Sequence, residues 1–244
     1  MTKDIFLDAI ATDGRTLVRA AASNWSLPVP HCPDWNAAGL VRHTGIILAW
    51  MSRVLEIGER IRFRDLSPSP DEDAELSAWF LANLRHTLNV MRECEPDKPV
   101  WTFSSLGDHR TSWWLRRLAV EMAIHRWDAE YAVTVSGGRA PAPLEVPVAM
   151  AGIDEFVSEF LPGLLAQATS DLPSGMLRLT STDTATDKRL DLDHLGRAVR
   201  GHTEPDVTVR GTASSVLLWL TNRHTDAVMI GDHGLIDSWK ALTR

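Results

Sequence analysis

The sequence predicts an α-helical bundle followed by a small α+β domain, and three observations lead to this fold class. Apolar residues recur at helical spacing in the first half of the chain, whereas apolar and polar residues alternate with period two in parts of the second half. Glycine and proline punctuate the segment between the two halves, SGGRAPAPLEVP, from Ser136 to Pro147. We therefore expect a domain junction there, with a bundle domain over 1–137 and a C-terminal domain over 144–244.

The first half contains four blocks with the apolar spacing of amphipathic helices. They run roughly from Asp4 to Ala22, from Trp35 to Arg60, from Glu75 to Met91 and from Thr111 to Val133. Four helices of similar length are typical of a four-helix bundle, in which sites are built from side chains on facing helices.

The second half is predicted to begin with a helix from Glu145 to Leu165. Three later segments alternate as half-buried strands do, namely MLRLT from Met176, RLDLD from Arg189 and DVTVR from Asp206. Two short helices follow, from about Thr212 to Thr221 and from about Asp232 to Leu242. This order of elements is typical of an α+β domain.

Composition and motifs exclude several classes of function. The net charge of −7 argues against binding to nucleic acid, which needs a clustered excess of Lys and Arg. No stretch reaches the roughly 18 uninterrupted apolar residues of a membrane span, and the start of the chain lacks the pattern of a signal peptide, so we expect a cytoplasmic protein. Cys32 and Cys94 lack CxxC spacing and are expected to be free thiols. No GxSxG, Walker, GxGxxG or HExxH motif is present, and no feature indicates a protein partner.

Helical phase singles out three polar residues. At about 100° per residue, His43 falls on the apolar stripe of the second helix, and Glu121 and His125 share the inner face of the fourth. The opposite side of the fourth helix carries Arg116, Ala123, Arg126 and Glu130. An inward carboxylate is costly unless it is paired or binds a metal, and the i,i+4 spacing lets Glu121 and His125 reach one ion. With His43 they would form a two-His, one-carboxylate set that leaves positions open for water or substrate.

Two alternatives stay open at this point. His43 could be a hydrogen-bonded core histidine, and Glu121 and His125 could be a buried ion pair without a metal. Asp128 lies one turn beyond His125 and could accept the second N–H of its imidazole, or it could form a cap or an ion pair with an arginine.

Two segments resemble a known family. CPDWNAAGLVRHTG from Cys32 and LRRLAVEMAIHRWDAE from Leu115 are similar to the signature segments of the mycothiol-dependent maleylpyruvate isomerase family, which belongs to the wider DinB-like metalloprotein superfamily. The resemblance implies a DinB-like, metal-binding four-helix bundle that is followed by a smaller, sterol-carrier-like α+β domain.

The resemblance also implies a site. His43, Glu121 and His125 would bind a divalent metal ion, with zinc expected first and nickel, cobalt or iron as alternatives. Mycothiol would be the thiol cosubstrate of a small electrophilic substrate, which suggests an actinobacterial cytoplasm. A second-domain arginine contributes to the site of the characterised isomerase, and its nearest counterpart is Arg223 in LLWLTNRHTD. The alternative for Arg223 is a plain helix end at the surface.

These features predict a metal- and thiol-dependent enzyme, either a thiol S-transferase or a maleylpyruvate-type cis–trans isomerase. The metal would activate a thiolate that attacks the electrophilic substrate. A metal-activated water hydrolase is an alternative, because the same three ligands could bind hydroxide. A non-catalytic protein that binds a metal or another ligand is a further one.

Overall fold

The computed structural model of the chain describes residues 3–168, 172–199 and 203–243. The chain divides into two compact units, Met1–Val148 and Ala149–Arg244, which are described separately below. The domain limits 1–137 and 144–244 stay predictions from the sequence. Among the described residues, no helix combines the length and the apolar content that a membrane crossing requires.

Four long helices make up most of the first unit, which confirms the predicted bundle. They are α1 (Lys3–Ala21), α2 (Ala37–Ile57), α3 (Asp73–Glu93) and α4 (Thr111–Val135). The most extensive packing is between α1 and α4 and between α2 and α3. Their bounds lie within about three residues of the predicted ones, as expected for strongly periodic segments.

Local signals fix both ends of α2. The side chain of Asn36 accepts a hydrogen bond of 2.8 Å from the Gly39 N–H, and this N-cap starts the helix after Trp35. At the other end Gly58 adopts a left-handed φ of 85°, and its N–H donates to the Val54 carbonyl. These caps fix where α2 begins and ends, and His43, which this helix contributes to the candidate site, lies in its second turn.

Helix α4 is buried on nearly every side, which differs from the predicted amphipathic helix. Trp113 and Trp114 are fully enclosed, and Arg126, predicted on the side away from the site, is only 3% exposed. The Arg126 Nε donates to Asp13 on α1 at 3.1 Å, and its Nη1 donates to Glu130 at 2.7 Å. The helical periodicity of α4 alone could not predict this burial. The residues that cover this side of α4, and the Asp13 carboxylate that binds Arg126, belong to α1.

Gly45 allows α2 and α3 to approach closely. A Cβ atom built on Gly45 would lie 2.1 Å from the ring of Trp79 on α3. We expect Gly45→Ala to lower the free energy of unfolding by about 1–3 kcal/mol, because the indole would have to leave its place. Urea denaturation would measure this against Gly39→Ala, whose Cβ would meet Asn36 Oδ1 at 3.4 Å. Equal stability of the two variants would contradict the prediction.

The helical segment that leads from the first unit into the second is interrupted, unlike the single predicted helix. It contains α5 (Val146–Glu155), a π-helical turn (Phe156–Phe160) and α6 (Leu161–Gln167). Pro162 lies in the first turn of α6, and it has no N–H to donate to the preceding turn. The regular helical hydrogen-bond pattern is therefore broken where the sequence pattern predicted continuity.

A mixed sheet forms the rest of the second unit with two helices. In the described part of the chain its strands are β1 (Met176–Ser181), β2 (Asp187–Asp191), β3 (Arg197–Ala198), β4 (Val207–Gly211) and β5 (Val228–Gly231), in the order β3-β2-β1-β4-β5. Strand β1 pairs in parallel with β4, and the other pairs are antiparallel. Helix α7 (Ala213–Leu220) packs against β1 and β4, and α8 (His233–Leu242) follows β5.

The three predicted strands correspond to β1, β2 and β4, and their apolar residues form one buried face. These residues are Leu177, Leu179, Leu190, Val207 and Val209, each with no exposed surface. Strands β3 and β5 were not predicted. Strand β3 has two residues, and all four residues of β5 are exposed, so neither carries a pattern of alternate burial.

Candidate metal centre

The three residues that helical phase selected converge between α2 and α4. His43 Nε2 and His125 Nε2 each lie 3.2 Å from Glu121 Oε1. The ligand atoms of the three side chains lie within 4.8 Å of one another. We call His43, Glu121 and His125 the first donor set.

The first donor set is buried on one side and open on the other. The side chains of Glu121 and His125 are 12% and 10% exposed, whereas that of His43 is 33% exposed. The prediction that His43 points inward therefore holds only in part. His43 is thus the side chain of the set that solvent reaches most.

The two oxygens of the Glu121 carboxylate have different partners. The guanidinium of Arg117 forms an ion pair with Oε2, one helical turn away on α4, while Oε1 faces the two imidazoles. Oε1 is thus the oxygen directed towards any ion held between the histidines.

Neighbouring charges together outweigh burial in setting the pKa values of Glu121 and His125. Burial by itself would raise the pKa of Glu121, but the charges of Arg117 and His125 hold it well below its usual value. Burial would lower the pKa of His125, but Glu121 and Asp128 raise it to about 9. Without a metal the group is a buried ion-pair cluster, which is the alternative that the sequence left open. A metal would have to displace the proton from His125 Nε2.

Asp128 lies next to the Nδ1 atom of His125, the ring nitrogen that faces away from Glu121. It has no exposed surface, and its Oδ2 lies 3.0 Å from His125 Nδ1. If Nδ1 carries the proton, Nε2 keeps its lone pair directed towards Glu121.

Sequence reasoning missed two neighbours of this site, Cys32 and Trp35. The Cys32 Sγ lies 3.8 Å from Asp128 Oδ2, and the ring centroid of Trp35 lies 4.7 Å from that of His43. Both belong to the loop before α2, which a bridge between Pro28 and Asn36 closes. The available signal was the sequence CPDWN itself, whose turn residues stand directly before a predicted helix.

Arg223 belongs to the second unit and lies just after α7. Its backbone N–H donates to the Leu218 carbonyl at 2.8 Å, and its Nη1 donates to the Thr221 carbonyl at 2.7 Å. These two hydrogen bonds of Arg223 bind backbone carbonyls at the C-terminal end of α7. This agrees with the alternative that Arg223 ends a helix. Its catalytic role stays a proposal.

The fold and the site together define a class of protein, a four-helix bundle with a two-His, one-carboxylate donor set that precedes a small mixed-sheet unit. Residues 7–130 match the family model of the mycothiol maleylpyruvate isomerase N-terminal domain, and residues 147–238 match that of the MDMPI C-terminal domain. The chain belongs to the mycothiol maleylpyruvate isomerase family. The predicted family is confirmed, and this membership makes the chain an enzyme by family, as predicted.

Two solved structures have the same fold. A crystal structure of the mycothiol-dependent maleylpyruvate isomerase matches with a TM-score of 0.62 and 14% identity, over 94% of this chain and 93% of that one. The crystal structure of a histidine-to-alanine mutant of that isomerase matches with a TM-score of 0.63 and 13% identity, at the same coverage. A search of curated proteins gave no significant match. Identities this low establish a common fold and leave the reaction to be argued from the site.

Proposed function

We propose that the chain is a metal- and mycothiol-dependent enzyme that acts on a small electrophilic substrate. Its reaction would be a maleylpyruvate-type cis–trans isomerisation or a thiol S-transfer. In both, the thiol sulfur adds to an electrophilic carbon. Later loss of the thiol gives the isomer, and retention gives the S-conjugate. The observation that carries the proposal is the first donor set, open on the His43 side, in a chain of this family.

The first donor set fits a divalent ion. Metal–nitrogen and metal–oxygen bonds of about 2.0–2.1 Å give a tetrahedral donor–donor distance of about 3.4 Å. Both imidazole nitrogens lie 3.2 Å from Glu121 Oε1, close to that value. We propose zinc first, with nickel, cobalt or iron as alternatives, because affinity alone does not select among these ions at such a set.

The side chains around the set would prepare it for this chemistry. A divalent ion would supply Lewis acidity that increases the thiolate fraction of a bound thiol near neutral pH. Asp128 would hold the His125 ring by accepting the Nδ1 hydrogen, and Arg117 would keep Oε2 of Glu121 away from the ion. Trp35, with its ring 4.7 Å from that of His43, would restrict the rotation of this more exposed ligand.

We further propose that Arg223 binds a carboxylate of the substrate, for which a guanidinium is well suited. Arg223→Ala should raise KM for a carboxylate substrate roughly tenfold, as expected for the loss of a charged hydrogen bond. Steady-state kinetics would measure this against Arg197→Ala, which removes an exposed arginine from β3. If KM stays at the wild-type value while the fold is intact, Arg223 only ends α7.

Product analysis tests the proposed reaction. Tag-free protein would be incubated with maleylpyruvate, or with other small electrophiles, in the presence and absence of mycothiol and of added metal. We expect isomer or S-conjugate only when both thiol and metal are present. Hydrolysis that needs metal but no thiol would favour the water-hydrolase alternative. A metal-loaded protein that leaves every electrophile unchanged with mycothiol present would favour the non-catalytic alternative.

We also propose that the protein is located in the cytoplasm of an actinobacterium.

Asp128→Asn is expected to weaken metal binding at the first donor set about 10- to 100-fold. Asparagine keeps the size and one hydrogen-bond acceptor, but it loses the charge that makes the His125 imidazole a stronger donor. Competition with a chelator would measure the affinity for the ion that His43→Ala removes. An unchanged affinity would show that Asp128 only fills space behind His125.

A further inference from the structure

A second group of potential ligands lies behind His125. Cys32, His125 and Asp128 have ligand atoms within 4.8 Å of one another. Asp128 Oδ2 lies 3.0 Å from His125 Nδ1 and 3.8 Å from the Cys32 Sγ. We call these three residues the second donor set. It shares only His125 with the first set, and it approaches the other nitrogen of that ring.

The backbone before α2 brings the thiol to this position. The Cys32 N–H donates to the Val29 carbonyl at 3.0 Å, and the Trp35 N–H donates to the Cys32 carbonyl at 3.0 Å. Asp34 adopts a φ of 72°, a conformation that Asp tolerates better than most residues. The resulting tight turn holds Cys32 close to Asp128 in the C-terminal half of α4.

The distances in the second donor set approach those of a metal site. A zinc–sulfur bond of about 2.3 Å and a zinc–oxygen bond of about 2.1 Å give a tetrahedral sulfur–oxygen distance of about 3.6 Å. The Cys32–Asp128 distance of 3.8 Å is close to this value. The His125–Asp128 distance of 3.0 Å is a hydrogen-bond length, and it would have to open slightly.

The types of donor indicate which ions would bind. Thiolate and imidazole ligands select borderline or soft ions such as zinc, cadmium and cobalt, whereas magnesium and calcium require oxygen ligands. Asp128 is completely buried and Cys32 is half-buried, so the group is enclosed on the side of the carboxylate.

We propose that Cys32, His125 and Asp128 form a second metal site, which binds a thiophilic divalent ion alongside the ion of the first donor set. On binding, the S–H bond of Cys32 and the Nδ1–H bond of His125 break, and both protons pass to the buffer. The sulfur and nitrogen lone pairs then bind the ion, and His125 bridges the two sites as an imidazolate. This site goes beyond the proposed function, and no step of the proposed reaction depends on it. With the second ion bound, Asp128 would hold the His125 ring through that ion instead of through the Nδ1 hydrogen.

Cobalt titration of metal-free, full-length protein tests the proposal. A thiolate bound to Co²⁺ produces charge-transfer absorption in the near ultraviolet, whereas imidazole and carboxylate ligands do not. We expect wild type to take up two equivalents of Co²⁺ and to show this absorption. Cys32→Ala and Cys32→Ser should each lose the absorption and one equivalent. Cys94→Ala is the matched control, because it removes the other of the two cysteines of the chain.

The same titration separates this proposal from the proposed function. His43→Ala should lose one equivalent and keep the absorption if both sites exist. One equivalent in wild type, with absorption that depends on Cys32 and not on His43, would support the second site and count against the first. One equivalent without the absorption would overturn the second site. So would an absorption that Cys94→Ala removes. Circular dichroism of each variant would establish that it is folded.

Discussion

Replacing His43 with alanine is expected to remove one equivalent of divalent metal per chain and to lower turnover with mycothiol by more than about 100-fold. The loss should exceed that of a residue that only supports a ligand, because His43 Nε2 itself faces Glu121 Oε1 at 3.2 Å. Glu121→Gln should have a similar effect. The amide is a weaker donor than the carboxylate, and it removes the ion pair between Arg117 and Glu121.

Elemental analysis of tag-free protein after identical purification would measure the metal, and product formation would measure turnover. His86→Ala is the matched control, since it removes an exposed histidine of α3 that pairs with Glu56 at 3.0 Å. Metal content equal to that of wild type in both His43→Ala and Glu121→Gln would contradict the first donor set as a metal site. The ion-pair cluster would then be the better account of these residues.

The candidate site could be predicted because it depends on helical periodicity. Glu121 and His125 are one turn apart on a helix that the sequence pattern identified, so their proximity follows from the rise of an α-helix. The meeting of His43 with this pair needed only the assumption that inward faces of a bundle approach each other. The exposure of the His43 side chain did not follow, since it depends on how the surrounding residues cover it.

The second donor set could not be predicted in this way. Cys32 lies in a loop whose course depends on the positive φ of Asp34 and on particular backbone hydrogen bonds. No periodic pattern relates such a residue to Asp128, which lies 96 positions further along the chain. Strand β5 also lacks a periodic pattern that would reveal it. It pairs with β4 at the edge of the sheet, and all four of its residues are exposed. The π-helical turn after α5 likewise changes hydrogen bonds without changing the apolar spacing enough to reveal it.

Replacing Arg126 with methionine is expected to lower the free energy of unfolding by about 3–5 kcal/mol at neutral pH. Arg126 is 3% exposed, and its Nε donates to Asp13, which is 6% exposed. Methionine matches much of the arginine stem, so the main loss is electrostatic. A buried carboxylate at Asp13 would remain without its cation, whereas Glu130 is partly exposed and can be solvated by water. Urea denaturation would measure the difference from wild type, with Arg53→Met on the exposed side of α2 as the control.

The pH dependence of this loss distinguishes charge from packing. Burial raises the pKa of Asp13 above 3.8 even though Arg126 acts to lower it, and Glu145 and Glu130 raise it further. Without Arg126 the pKa should rise more. A carboxyl group with a raised pKa favours the folded state below its unfolded pKa, and this contribution is lost as the pH rises through the folded value. The cost of Arg126→Met should therefore shrink as the pH falls towards 3.8.

Neutralising Asp13 supplies the complementary test. Asp13→Asn alone should cost little, because burial already disfavours the ionised form of Asp13, and Arg126 keeps Glu130 and the carbonyls of Ala142 and Pro143 as acceptors. The double variant Asp13→Asn/Arg126→Met should recover most of the stability lost in Arg126→Met, since no unpaired buried charge remains. A cost of Arg126→Met that is independent of pH and of Asp13→Asn would instead mean that the arginine stabilises α4 by packing alone.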